Sequence, residues 1–179
     1  MEGPSKFNIA LKWGGIMAVL LIIVSLVMYL TGMVDMETGK SGILSNILNY
    51  VISIGAIVMA ISEYKKAHNA LSFGEGTVIG ILTGIVGGLI MAIYTYLFFT
   101  LVAPDMLEVI QEQALAQTQE MSDEQMETTE KMMGFFVSPV FMSIMVVIMK
   151  FFLGLIIGMI AGGIMKEEAA PSFTDTEEV

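Results

Sequence analysis

Apolar positions run along this chain in long blocks rather than in the narrow stripes of a water-facing helix or the alternation of a half-buried strand. Residues 13–34, 42–62 and 76–103 are uncharged stretches of 22, 21 and 28 residues, and 132–165 is a 34-residue stretch broken only by Lys150. About 20 predominantly apolar residues cross a bilayer as a helix, so each block predicts one membrane-spanning helix. Ser72 and Glu75 have capping-box spacing ahead of the third block, and Ser138-Pro139 carries the N-cap and first-turn signature ahead of the fourth. These signals bound the spans at about 13–34, 42–62, 75–103 and 139–165. As a helix, 73–103 would be roughly 45 Å long against a hydrocarbon core of about 30 Å, so it must tilt, kink or project.

Between the blocks the pattern changes. Val34–Ser41 and Glu63–Phe73 read as short connectors, the second holding Lys65 and Lys66. After Ala103, Pro104-Asp105 restarts a helix in which Met106, Leu107, Val109, Ile110, Ala114 and Leu115 recur at three- and four-residue spacing. Glu108, Gln111, Glu112 and Gln119 lie opposite them. A second amphipathic helix is expected from Ser122, with Gln125 completing a capping box, to about Phe136. The expected fold class is therefore all-α, a single membrane domain over 1–179. It has four transmembrane helices, an amphipathic helical segment over 105–136 and an acidic tail over 166–179.

Composition agrees with a lipid environment: 55% of residues are hydrophobic and 15% charged, with a mean hydropathy of +0.78. The absence of Cys excludes disulfides and thiolate ligands, and a single His excludes a multi-His site within one chain. The net charge of −10 is unevenly placed: eight acids against Lys131 give −7 over 104–134, and five acids against Lys166 give −4 in the tail. All eight basic residues are Lys, in no run longer than two, so no nucleic-acid partner is expected. Lys6, Lys12, Lys65, Lys66 and Lys166 fall on one side of a four-span layout, and Lys40 and Lys131 on the other. The positive-inside rule then puts both termini in the cytoplasm and 105–136 outside it. The first span reads as an uncleaved signal anchor. Trp13, Tyr29 and Tyr64 lie near span ends, as aromatic-belt residues do.

Two ladders of small residues stand out: Gly76, Gly80, Gly84, Gly88 and Ala92 on the third span, and Gly154, Gly158 and Gly162 on the fourth. Faces of this glycine-zipper kind let helix backbones approach closely, which predicts packing between the two antiparallel spans. Aligning residue 103 with 139 pairs Gly88 with Gly154, Gly84 with Gly158 and Gly80 with Gly162. A homo-oligomer contact or a pore lining is the competing use of these faces.

Lys150 shares the glycine face, about 16 Å inside the start of its helix, where an ammonium costs roughly 2.5–3.5 kcal/mol to insert. The same alignment sets it opposite Ala92, with Thr95, Tyr96, Ser143 and, at longer reach, Asp105 as prospective partners. It either lines an aqueous path as an anion or proton site, or is a hydrogen-bonded structural residue. The second is the expectation, because no other span offers a buried acid. Asn46, Asn49 and Ser53 line one face of the second span and are expected to hydrogen-bond to a neighbouring helix.

Glu120, Asp123, Glu124 and Glu127 share a helical face but lack the converging ligands of a hard-cation site, so they read as a solvated face, with Glu127 placed to pair with Lys131. Seventeen Met without Cys or a second His read as space-fillers rather than a copper site, and His68 as a loop residue. There is no nucleophile elbow, P-loop or H-E-x-x-H. No enzymatic activity, catalytic residue, metal or cofactor is therefore expected.

The order of spans, Tyr64-Lys65-Lys66 followed by Ser72-Phe73-Gly74-Glu75, Gly80 and Gly84, Tyr94 to Tyr96, and Pro104-Asp105 together resemble domain of unknown function family 4199 over about residues 8–165. The resemblance implies small bacterial inner-membrane proteins with a four-helix layout, and it carries no activity or site residues. The functional expectation is a non-enzymatic structural or interaction component of that membrane, in contact with lipid and meeting a protein partner through 105–136. The alternative is a small oligomeric channel or transporter using Lys150 in a polar path.

Overall fold

The computed structural model describes residues 3–33, 42–116 and 132–167. The connector 34–41, most of the acidic segment with Glu120, Asp123, Glu124, Glu127 and Lys131, and the tail beyond Glu167 lie outside the described residues. The chain forms α1 (Lys6–Leu30), α2 (Ile43–His68), α3 (Phe73–Leu97), a π-helical turn (Phe98–Val102), α4 (Asp105–Ala116) and α5 (Pro139–Met165). A further helical turn occupies 132–136. The described fold is all-α and polytopic, with four helices long and apolar enough to cross a membrane.

Helix bounds follow local chemistry. Ser5 Oγ accepts from the Asn8 amide and opens α1 seven residues before the apolar block. Ser72 and Glu75 form the full capping box of α3, and Ser138 Oγ accepts from the Phe141 amide with Pro139 in the first turn of α5. α2 runs on to His68 and stops where Asn69 adopts φ 50°, so Lys65 and Lys66 sit on a helical last turn instead of in a connector. Cations there complement the helix dipole, which favours continuing the helix. The overlong third block resolves through the π-helical turn after Leu97, which Ala103 and Pro104 end.

α3 packs on α1, α2 and α5, and its most extensive contact is with α5. At the Lys6 end of the bundle, Ile9, Ile57, Ala60, Ile61, Tyr64, Leu71, Ile79 and Ala161 form one apolar cluster. Met17, Ala18, Leu21, Ala56 and Met91 form the middle one. Phe98, Ala103 and Met106 form the one at the Pro139 end, with Tyr29 and Ile110 packed against it. α4 therefore turns Met106 and Ile110 onto the bundle, so part of its apolar face is already covered. Large apolar side chains cover the outside, among them Leu30 at 80% and Ile164 at 79% exposure. That surface suits lipid and would be an aggregation hazard in water.

The Lys6 end is tied by charge. Lys12 Nζ reaches Glu63 at 3.0 and 2.8 Å, and Trp13 Nε1 donates to the same carboxylate at 2.7 Å. Lys6 Nζ lies 3.0 Å from Glu75 Oε1, to which Tyr64 OH donates at 2.8 Å. Tyr64 is thus buried between helices instead of facing outward as a belt residue, because its hydroxyl is drawn to the half-buried Glu75 carboxylate. Lys65 pairs with Glu167 at 2.8 Å and holds that carboxyl below its usual range. Leu71 and Glu167 exchange two backbone hydrogen bonds of 2.9 Å, which dock the end of α5 on the α2–α3 turn.

Candidate membrane-embedded polar site

The position of the site is set by how closely α3 approaches α5. A Cβ built at Gly76 would lie 2.5 Å from Gly162 Cα, one at Gly80 2.5 Å from Gly154 O and 2.6 Å from Gly158 Cα, and one at Gly84 would collide with Lys150 O. The facing rungs are therefore Gly76 with Gly162, Gly80 with Gly158, Gly84 with Gly154, and Gly88 with Lys150. This is one helical turn away from the register expected from aligning residues 103 and 139. Both registers match glycine with glycine, because each ladder repeats every four residues. The observed one also sets Gly88 opposite the Lys150 stem, where a Cβ would lie 3.1 Å from Lys150 Cβ. The expected register would have faced that stem with Ala92.

With α3 pressed against its backbone, Lys150 turns toward α2. Its side chain is only 8% exposed, and Nζ donates to Asn49 Oδ1 at 2.8 Å and to Ser53 Oγ at 2.7 Å. Ser53 Oγ in turn donates to Asn49 O at 2.7 Å, which commits its hydrogen and leaves its lone pairs for the ammonium. Asn49 gives its amide oxygen to Lys150, so its NH2 group stays a donor.

The other prospective partners lie elsewhere. Ser143 is buried and donates to Pro139 O at 2.7 Å within its own helix, and Tyr96 is 44% exposed. Thr95 lines a separate cavity of about 250 Å³ that also includes Ser25, Tyr29 and Tyr94. There Tyr94 OH donates to Ser25 Oγ at 3.0 Å. Asp105 begins α4 and forms no ion pair with Lys150.

Lys150 and Asn49 lie on the wall of the larger cavity, about 580 Å³, between α2 and α5. Its other walls are apolar and include Met145, Met149, Phe152 and Ile156 of α5 with Phe136, and Asn46 and Tyr50 of α2 lie along the opposite side. The arrangement is a greasy cleft with one ammonium and one amide donor at its polar edge. It can hold an anion in a medium of low dielectric, where such contacts are strong.

The pairing of Lys150 with Asn49 and Ser53 escaped the sequence reading, although a signal was present. Ser53 lies ten residues beyond Ile43 and Lys150 eleven beyond Pro139, so the polar face of α2 and the lysine have equal depth from the same end. What was missing was that α2 and α5, which are not consecutive spans, touch.

The family model described as "Protein of unknown function (DUF4199)" matches residues 12–167. No curated protein and no solved structure matches the chain.

Proposed function

On the premise that the chain belongs to the DUF4199 family of proteins of unknown function, we propose that it is a non-enzymatic interaction component of the bacterial inner membrane, with both termini in the cytoplasm. Its binding locus is the α2–α5 cleft. The observation that carries this reading is the Lys150 ammonium, held by Asn49 and Ser53 at the edge of a cleft of about 580 Å³. Intramembrane cations that line a cavity mark binding or transport sites more often than ornament.

Binding is favoured over conduction by what surrounds the site. The glycine faces of α3 and α5 are in contact with each other and so are not free to line a path within one copy. The cluster of Ile57, Ala60, Ile61 and Ile79 fills the bundle between Ser53 and the Lys6 end. Against an enzymatic reading, the ammonium's partners are an amide and a hydroxyl whose hydrogen is already committed, and neither is a base. The segment 105–136 is proposed as a second contact surface, through its acidic side, since Met106 and Ile110 already face the bundle.

The Cys-free chain allows a direct test with single introduced thiols and a membrane-impermeant reagent on intact cells. The orientation predicts labelling of Asp123→Cys without labelling of Ala67→Cys, and the reverse pattern overturns it. A binding cleft that no aqueous path reaches predicts that Lys150→Cys stays unlabelled and that liposomes holding the native protein pass no small anions. Labelling at 150 together with flux would instead establish the transporter reading.

A further inference from the structure

Resting on that reading of the cleft, we infer that its occupant is a single-chain amphiphile with a carboxylate head, that is, a long-chain fatty acid. The carboxylate lies on Lys150 Nζ and the Asn49 amide, and the chain lies along Met145, Met149 and Phe152.

Charge is the first argument. Lys6, Lys12 and Lys65, at the edge of the bundle, are each paired with a carboxylate, at 3.0, 2.8 and 2.8 Å. Lys150, the most buried of these cations, has only neutral acceptors among the described residues. An ammonium in a low-dielectric interior without a counter-ion is costly, and a bound group of charge −1 offsets part of that cost.

Donor geometry is the second. Two of the three Nζ–H groups are committed to Asn49 and Ser53, which leaves one, and Asn49, whose amide carries an NH2 donor beside the oxygen given to Lys150, lines the same cavity. Two adjacent donors match the two oxygens of a carboxylate. Asn46 lies one turn nearer the Pro139 end of α2 on the same wall, so polar side chains lead from that end of the cleft to the lysine.

Shape and wall chemistry are the third. The remaining wall is built of thioethers, aliphatic side chains and aromatic rings, among them Met145, Met149, Ile156, Phe136 and Phe152, with Met149 61% and Phe152 51% exposed. Flexible Met side chains adapt to an acyl chain of variable conformation. A volume of about 580 Å³ suits one such chain better than a diacyl lipid.

The test uses the full chain in nanodiscs of phosphatidylcholine, with a palmitic acid probe carrying a photoreactive diazirine. Cross-linked peptides are identified by mass spectrometry, and palmitic acid, its neutral methyl ester and phosphatidylglycerol serve as competitors. The expected result is adducts on the α5 segment around Met145 to Phe152, competed by palmitic acid roughly tenfold or more better than by the ester. Labelling should fall about as much in Lys150→Met, which removes the charge, and in Met149→Trp, which fills the cleft from an exposed position and leaves Lys150 in place. Equal competition by the ester, or retention of labelling in both variants, overturns the carboxylate. Better competition by phosphatidylglycerol assigns the site to a lipid headgroup instead. No adduct in the cleft of a monodisperse protein rejects a fatty acid altogether, while the thiol and flux measurements report separately on whether an aqueous path reaches the cleft.

Discussion

Lys150 of α5 donates to Asn49 of α2 across 2.8 Å, joining two helices that are not consecutive in the chain. Because α3 occupies the glycine face of α5, this bond and its companion to Ser53 are what lead the lysine away from the tightest interface and to the edge of a cleft.

The two ends of that bond should respond differently to mutation. Lys150→Met removes a charge that is expensive in lipid and leaves Ser53 bonded to Asn49 O, so the thermal midpoint in detergent should hold or rise. Asn49→Leu strips an acceptor from a charge that stays buried and should lower stability by about 2–4 kcal/mol. Reversible unfolding of the two variants side by side is the check, and a larger loss in Lys150→Met would make the lysine a structural tie.

Glycine positions should separate into two groups. Gly80→Ala places a methyl 2.5 Å from Gly154 O, and the resulting separation of α3 from α5 should cost about 1–3 kcal/mol or more. Gly15→Ala and Gly55→Ala meet nothing within 4 Å and should be neutral or stabilising by up to about 1 kcal/mol, since Ala is the better helix former. Thermal unfolding of the three single variants measures this contrast directly.

At the Lys6 end the carboxylates are unequal. Glu75 completes the α3 capping box and accepts from Tyr64 and Lys6, so Glu75→Ala should cost about 1–3 kcal/mol and leave the Tyr64 hydroxyl without its acceptor. Glu63→Gln weakens a pair whose side chains are 54% and 32% exposed, and its effect should stay below about 1 kcal/mol and shrink further in high salt. Unfolding at low and high ionic strength distinguishes the two.

The paired backbones of Leu71 and Glu167 offer a covalent test of the fold. Residues that exchange both backbone bonds of an antiparallel pair have Cα atoms about 5.5 Å apart, within disulfide range. Leu71→Cys with Glu167→Cys, in a chain with no other thiol, should oxidise to a faster-migrating band on a non-reducing gel. Failure to close under oxidising conditions would mean that the end of α5 does not dock on the α2–α3 turn.

The blocks of apolar residues by themselves determined four helices, because a helix in lipid needs a sufficient uncharged length and no knowledge of its neighbours. Ser72 with Glu75 and Ser138 with Pro139 were readable for the same reason, since a cap depends on residues within one turn. The glycine ladders pointed to the α3–α5 contact but left its register open, because a four-residue repeat looks the same after a one-turn slip. Contact between backbones, and the need for Gly88 opposite the Lys150 stem, decided it.

The partners of Lys150 were a tertiary matter throughout. Asn49 and Ser53 were visible as a polar face and Lys150 as an isolated cation, but nothing local joins residues about a hundred positions apart. Only the packing of α2 beside α5 brought the amide, the hydroxyl and the ammonium together at the edge of one cleft.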